Sequence, residues 1–368
     1  MDNETMKVII SLIKSALYKE KTIIPPDFDW DKAKFIIDIQ EIHGLMYYGM
    51  VYSGYEVPKW LEETFLKRVT FLTRLWQKGE ELQREFKKAN IEFIPLKGIK
   101  LKDMYPDPYM RHMSDVDILI HECDYEKKVK PIMISLGYEE GTESDHELHW
   151  TKDGQMIELH KRIIPSYNKD FYRVIGDGWE WLKDDNEYAF IFTHFAKHYR
   201  DKGIGIGHLV DLEVIRNSAT DKGLDILHLE VFYKNVLKTL DCWFRDEEYD
   251  EITKQITKTV FYSGEYGTSE TSRKSQNLKK INAAGGSAKK ARLKDFILIV
   301  FPTYSSMKSM YPFLKYVPIL LPLMWIFRII RSFFRGNIIK IYKSNKSITH
   351  DKSKYKEELA FVGLGYYK

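Results

Sequence analysis

Cysteine is nearly absent from this chain: Cys123 and Cys242 are the only two in 368 residues. They lie far apart and at no metal-ligand spacing, which excludes a disulfide framework and a cysteine-rich metal site, so a reduced, cytosolic setting is expected. Long uncharged runs are missing too. Near the end of the apolar stretch 295–335, the run from Tyr316 to Phe327 has 12 residues, short of the roughly 20 that a bilayer-spanning helix needs. The N-terminal MDNETMKVIISLIKSALYKEK has acids where a secretory signal has positive charge, and no signal peptide is read there. There is no internal repeat. His194 and His198 stand four apart, but residue 195 is Phe, so the H-E-x-x-H pattern of a zinc protease is absent. No Ser-His-Asp or Cys-His nucleophile arrangement stands out.

What is present is a globular composition, 44% hydrophobic and 14% aromatic, in a chain long enough for two domains. The charge is unevenly spread. Residues 263–368 carry 20 Lys/Arg against 6 Asp/Glu, a balance of +14, whereas residues 1–262 have a balance of −10. Such asymmetry points the C-terminal part at an anionic partner, RNA or membrane headgroups, or at the acidic half itself; a solvated basic surface is the plainer reading.

Hydrophobic periodicity predicts helices over 4–18, 30–53 and 58–89, with Asn90 as a stop. The character changes after residue 90. IEFIPL (91–96) reads as a strand, a short helix follows near 99–104, then a strand SDVDILI (114–120) and a helix over 124–136. Strands 146–152 and 155–162 flank Asp153-Gly154, a hairpin turn pair. The expected organisation is an N-terminal helical region (1–90), a small mixed α/β core (91–175) and a second helical region (176–262). The Gly/Ser/Thr/Lys-rich stretch 263–291 is expected as a flexible linker or loop. A basic, aromatic helical region (292–368) closes the chain, and Arg328, Arg331 and Arg335 recur along it at helical spacing. The fold class is α+β.

The chemistry concentrates in residues 95–120, PLKGIKLKDMYPDPYMRHMSDVDILI. A strand places Asp115 and Asp117 on one face and Val116 and Ile118 on the other. Two adjacent carboxylates repel unless a cation lies between them. Lys97-Gly98 sits at a strand-to-helix turn, where backbone N–H groups can meet a phosphate, and Arg111 and His112 just precede the strand. On the later strand Glu158 and His160 share a face, which supplies the third carboxylate that two-metal phosphoryl transfer uses. His194 and His198, with Asp211, read as a polar cluster at a sheet–helix interface or as substrate contacts. His146 and His149 read as hairpin surface, and Trp76, Trp150, Trp179 and Trp181 as packing.

The order LKG, YPDP, R-x-M-S-D-V-D-I-L-I and then I-E-L-H, with THFAKH (193–198) and HLVDLEVI (208–215) downstream, resembles the uncharacterised bacterial nucleotidyltransferase family of the DNA polymerase beta-like superfamily. The resemblance spans about 35–335 and is tightest at 95–120 and 155–161. It implies a nucleotidyltransferase core flanked by helices, Mg²⁺ (or Mn²⁺) and a nucleoside triphosphate donor. By position it makes Asp115, Asp117 and Glu158 the catalytic metal ligands. Lys97, Gly98 and Ser114 belong to the matched motif and are expected at the nucleotide, as are Arg111, a cation placed to meet triphosphate oxygens, and His160, which can hydrogen-bond a phosphate or a carboxylate. The chain departs from the wider superfamily in having Ile99 after Gly98, a longer spacing of 17 positions from Gly98 to Asp115, and Glu as the third carboxylate. The expected activity is transfer of a nucleoside monophosphate to an acceptor hydroxyl on a sugar or polysaccharide precursor, an RNA or a protein, with release of pyrophosphate. The alternatives are a catalytically silent nucleotide-binding scaffold and a membrane-peripheral interaction protein.

Overall fold

A computed structural model describes residues 3–121, 125–166, 168–183, 186–218, 223–334 and 352–365. Cys123 and Arg335 lie outside the described residues. The chain divides into two compact units, one of Met1–Thr268 with Val362–Gly365, the other beginning at Ser269.

The larger unit opens with α1 (Asn3–Tyr18), α2 (Trp30–Gln40), α3 (His43–Ser53) and α4 (Lys59–Lys88). The stretch 30–53, read as one helical segment, is two helices. Glu41 adopts a left-handed conformation (φ 54°) and returns its N–H to the carbonyls of Asp38 and Ile37, which ends α2. No Gly or Pro marks that break. Asn90 is also left-handed (φ 53°) and follows α4 as expected of its short polar side chain.

Then come β1 (Phe93–Pro95), α5 (Gly98–Leu101), β2 (Asp115–Ile120), α6 (Tyr125–Ser135), β3 (Glu139–Glu143), β4 (Glu147–Lys152) and β5 (Gln155–His160). They form one mixed sheet in the order β1-β2-β5-β4-β3. β2 and β5 are parallel, and the other pairings are antiparallel. Asp153 (φ 51°) and Gly154 (φ 74°) are both left-handed, the requirement of a tight two-residue hairpin.

Period-2 alternation gives the sheet two different faces. Val116, Ile118 and Ile120 join Ile157, Leu159, Leu148 and Trp150 in a core closed by Leu72, Leu75, Leu82 and Phe86 of α4 and by Val129 and Met133 of α6. Gly79 lets α4 lie close to β2: a Cβ there would meet both methyls of Val116 at 3.3 Å. Because this face takes the apolar residues, the polar residues of β2, β4 and β5 are left to the other.

The unit continues through α7 (Lys169–Ile175), α8 (Trp179–Lys183), α9 (Glu187–Asp201), α10 (Ile206–Val214), α11 (Glu230–Phe244) and α12 (Glu251–Ser263). On α9, Phe192, Phe195 and Tyr199 pack on Phe232 of α11. The stripe His194, Lys197, His198, Asp201 stays half-buried at i, i+3, i+4, i+7 spacing.

The smaller unit holds α13 (Ser269–Ala283), α14 (Ala288–Val300), α15 (Tyr304–Met310), α16 (Leu321–Phe334) and a last helix, Lys352–Phe361. The stretch 263–291, expected as a flexible loop, is thus largely helical. Leu278 and Ile281 bury one face of α13, and with Ala291 they give the polar sequence enough apolar contact to order. Among the described residues no helix is long and apolar enough to cross a membrane.

Candidate active site

The polar face of the sheet is built by register. Asp117 on β2 lies beside Glu158 on β5, and Glu158 lies beside His149 on β4. One rung along, His160 pairs with Glu147, and Asp115 begins β2 beside Met156. Asp115, Asp117 and Glu158 therefore share one face, with His160, Glu147 and His149 around them.

Asp117 is the centre of this face. Its Oδ1 accepts from the Lys97 ammonium at 2.9 Å and is 2.7 Å from His160 Nε2. Burial works against its charge, but Lys97 and His160 together outweigh burial and hold the carboxyl well below the usual range. Asp115 goes the other way. Burial and the charges of Asp117 and Glu158 push its carboxyl well up, against the pull of Lys97 and a hydrogen bond from Ser114. Two like charges side by side cannot both ionise cheaply, and here the strain falls on Asp115. His160 is buried, but its bonds to Asp117 and Glu158 raise its pKa above the ordinary value.

Lys97 reaches Asp117 from the turn between β1 and α5 in a rare backbone conformation, φ 44° and ψ −115°. A non-glycine residue there is strained, a feature concentrated at functional sites. Gly98 follows for a steric reason: a Cβ would stand 2.6 Å from Arg111 Nη1 and 2.8 Å from Met113 Cε. α5 itself is only 4 residues long.

Of the residues singled out for the nucleotide, Lys97, Ser114 and His160 thus meet the carboxylates, and Gly98 adjoins Lys97. Arg111, expected at triphosphate oxygens, is instead held by Asp211 of α10, with Nε–Oδ1 2.8 Å and Nη2–Oδ2 2.9 Å. Tyr105 Oη donates to the same carboxylate at 2.7 Å. This bidentate pair takes Asp211 away from His194 and His198 as well.

Among the described residues, two sets of side chains have ligand atoms within 4.8 Å of one another: Asp117, Glu158, His160 and Glu147, His149, Glu158. Asp115 stands outside both but within electrostatic reach of Asp117 and Glu158. His149, read as hairpin surface, has Nε2 3.2 Å from Glu147 Oε1 and 3.6 Å from Glu158 Oε1. His146 lies 3.0 Å from Glu147 Oε2. Despite its burial, these imidazoles bring the Glu147 carboxyl down to about 2. The H-x-L-x-W alternation of β4 already placed His149 with Glu147; what it lacked was a reason to put that face beside Glu158.

Sequence reasoning also passed over two cations of the same neighbourhood. Lys197 interacts electrostatically with Lys97 and Glu147, and Lys202 with Lys97, Glu158 and Asp115. The signal for Lys197 was its place between His194 and His198 on one helix face.

Residues 26–229, more than half of the chain, match the family model described as uncharacterised nucleotidyltransferase, and the chain belongs to that family. The match takes in the whole sheet, the Lys97 turn, α9 and α10. No curated protein and no solved structure matches the chain.

Proposed function

We propose that the larger unit transfers a nucleoside monophosphate from a nucleoside triphosphate to an acceptor hydroxyl. The observation that carries this reading is the placement of Asp117 and Glu158 side by side on one sheet face with Asp115 on the same face, its charged form opposed by burial and then by its neighbours' charges. A divalent cation fits this donor set. Its oxygens come from carboxylates on rigid strands, and their mutual repulsion is what a cation removes. Asp115, Asp117 and Glu158 would hold Mg²⁺ or Mn²⁺, which when bound supplies charge neutralisation at the phosphates.

The chain's own residues supply the rest. Lys97 and His160 fix the Asp117 carboxylate in place. Glu158 accepts the proton of the acceptor hydroxyl as its oxygen bonds to the α-phosphorus. The bond to the β-phosphate oxygen breaks, and pyrophosphate leaves with that electron pair. Positioning and charge neutralisation account for most catalysis in such transfers. Pyrophosphate release from each of the four ribonucleoside triphosphates, assayed with candidate sugar, RNA and protein acceptors, tests the reading. Glu158→Gln should lower the rate at least about 100-fold, and an undiminished rate would remove Glu158 from the chemistry.

A separate observation favours a second role, for the smaller unit. α16 leaves Leu323, Ile326, Phe327 and Ile330 each more than half exposed, and Ile319 before it is 83% exposed. Apolar surface beside Arg328 and Arg331, in a region of balance +14, suits an anionic lipid surface.

A further inference from the structure

We propose that Lys197 and Lys202, at the C-terminal end of α9, form with Lys97 the subsite that grips the polyphosphate chain of the substrate. The inference rests on the nucleotidyl-transfer reading and assigns it residues that the motifs around 95–120 do not contain.

The first observation is an imbalance of partners. The Lys97 ammonium has Asp117 at 2.9 Å. Lys197 and Lys202 are half-buried, and among the described residues neither ammonium has an ion pair or a hydrogen bond. A charged side chain withdrawn from water without a partner is unfavourable, and other cations nearby make it worse. Each of these lysines feels Lys97, and Lys197 also feels Lys202. Burial first, and then Lys97, bring the Lys197 ammonium down to about 8.

The second observation is what lies within electrostatic reach. Lys202 interacts with Asp115, Glu158 and Glu265, and Lys197 with Glu147 and with Asp201 of its own helix, with no ammonium–carboxylate distance inside 4.0 Å in any of these pairings. Both lysines therefore stand within electrostatic reach of the carboxylate face without closing on it. A chain of phosphates would bridge such a gap, its oxygens meeting the ammonium groups of Lys197 and Lys202 while Asp115, Asp117 and Glu158 would hold the cation that neutralises the rest of its charge. A single carboxylate would satisfy one lysine and leave the others.

A third observation concerns the same helix face. The rings of His194 and His198 are 4.2 Å apart, and His198 Nδ1 is buried without a hydrogen-bond partner. Burial holds both imidazoles neutral, so they can line an anion site without adding charge. Arg111, the other cation near the motif, is already occupied by Asp211.

The test is calorimetric titration of the full chain with inorganic tripolyphosphate in Mg²⁺, and with adenosine as the nucleoside-only control. Tripolyphosphate should bind the wild type. Lys197→Gln and Lys202→Gln should each weaken it at least about tenfold, as loss of a charge-assisted contact does. Lys197→Arg should bind within about threefold of wild type, and adenosine binding should not respond to any of these changes. Equal tripolyphosphate affinity in wild type and both Gln variants, or no binding to wild type, would overturn the subsite. Using two Gln variants keeps the result interpretable if one is unstable. The outcome separates from that of the reaction itself. Tripolyphosphate binding that depends on Lys197, without pyrophosphate release from any nucleotide, would keep the subsite and reject nucleotidyl transfer. Pyrophosphate release unaffected by Lys197→Gln would do the reverse.

Discussion

Asp115 and Asp117 are two residues apart on one strand and are driven in opposite directions. Asp117 has Lys97 and His160; Asp115 has burial and two carboxylate neighbours. A carboxyl whose folded pKa lies above its unfolded one costs nothing in acid and destabilises increasingly as pH rises from the unfolded toward the folded value. Asp115→Asn removes that cost. In chelator at pH 8 it should raise Tm by about 2 °C, and it should abolish the Tm increase that Mg²⁺ gives the wild type. A metal-free Tm below that of wild type would contradict the assignment. Lys197 carries the opposite sign. It is brought down to about 8 by burial and Lys97, against Asp201 and Glu147, with Lys202 also opposing its charge. Tripolyphosphate affinity should therefore fall as pH rises from 7 to 9, and this fall should be absent in Lys197→Gln. Arg111 and Asp211 offer a structural contrast. Their side chains are 13% and 6% exposed, and Asp211→Ala, which strands a buried guanidinium, should cost about 3 kcal/mol in urea unfolding.

At the scale of elements, the parts with a strong local signal were legible. Asp153-Gly154 announced its hairpin through two residues that tolerate left-handed backbone. The alternation in SDVDILI put Asp115 with Asp117 and that in QMIELH put Glu158 with His160, but only the parallel register of β2 with β5 brings the two pairs to the same face. β3 was not legible. Its sequence EEGTE is exposed at every position, so no alternation betrays it, and only pairing with β4 makes it a strand. α13 was hidden behind Ser, Thr and Lys, because two apolar residues, Leu278 and Ile281, carry its packing. The pairing of Arg111 with Asp211 joins residues 100 positions apart and leaves no local trace. Gly154 and Leu82 test the two kinds of signal. Gly154 has nothing within 4 Å of a built Cβ, so Gly154→Ala strains only the backbone (φ 74°) and should cost about 1 kcal/mol. Leu82 of α4 is fully buried against the sheet, and Leu82→Ala should cost about 3 kcal/mol. Equal effects in a thermal melt would refute this division between turn and core.

For the whole molecule, the candidate site lies wholly in the larger unit, within the residues that match the nucleotidyltransferase family. The smaller unit carries most of the basic excess and the exposed apolar row of α16. Vesicles containing anionic lipid should float the full chain, neutral vesicles should float it less, and Ile326→Asp with Phe327→Asp should abolish flotation. The same double variant should leave nucleotide binding unchanged. Flotation that ignores both lipid charge and the double variant would remove the membrane role and leave the site in the larger unit untouched.

The most direct test of the central claim is calorimetric binding of the four ribonucleoside triphosphates with and without Mg²⁺, for the wild type and for Asp117→Asn. The account predicts that at least one nucleotide binds only with the metal, and that Asp117→Asn loses this binding while retaining the fold. Binding that ignores both the metal and Asp117, or no binding to any of the four, would contradict it.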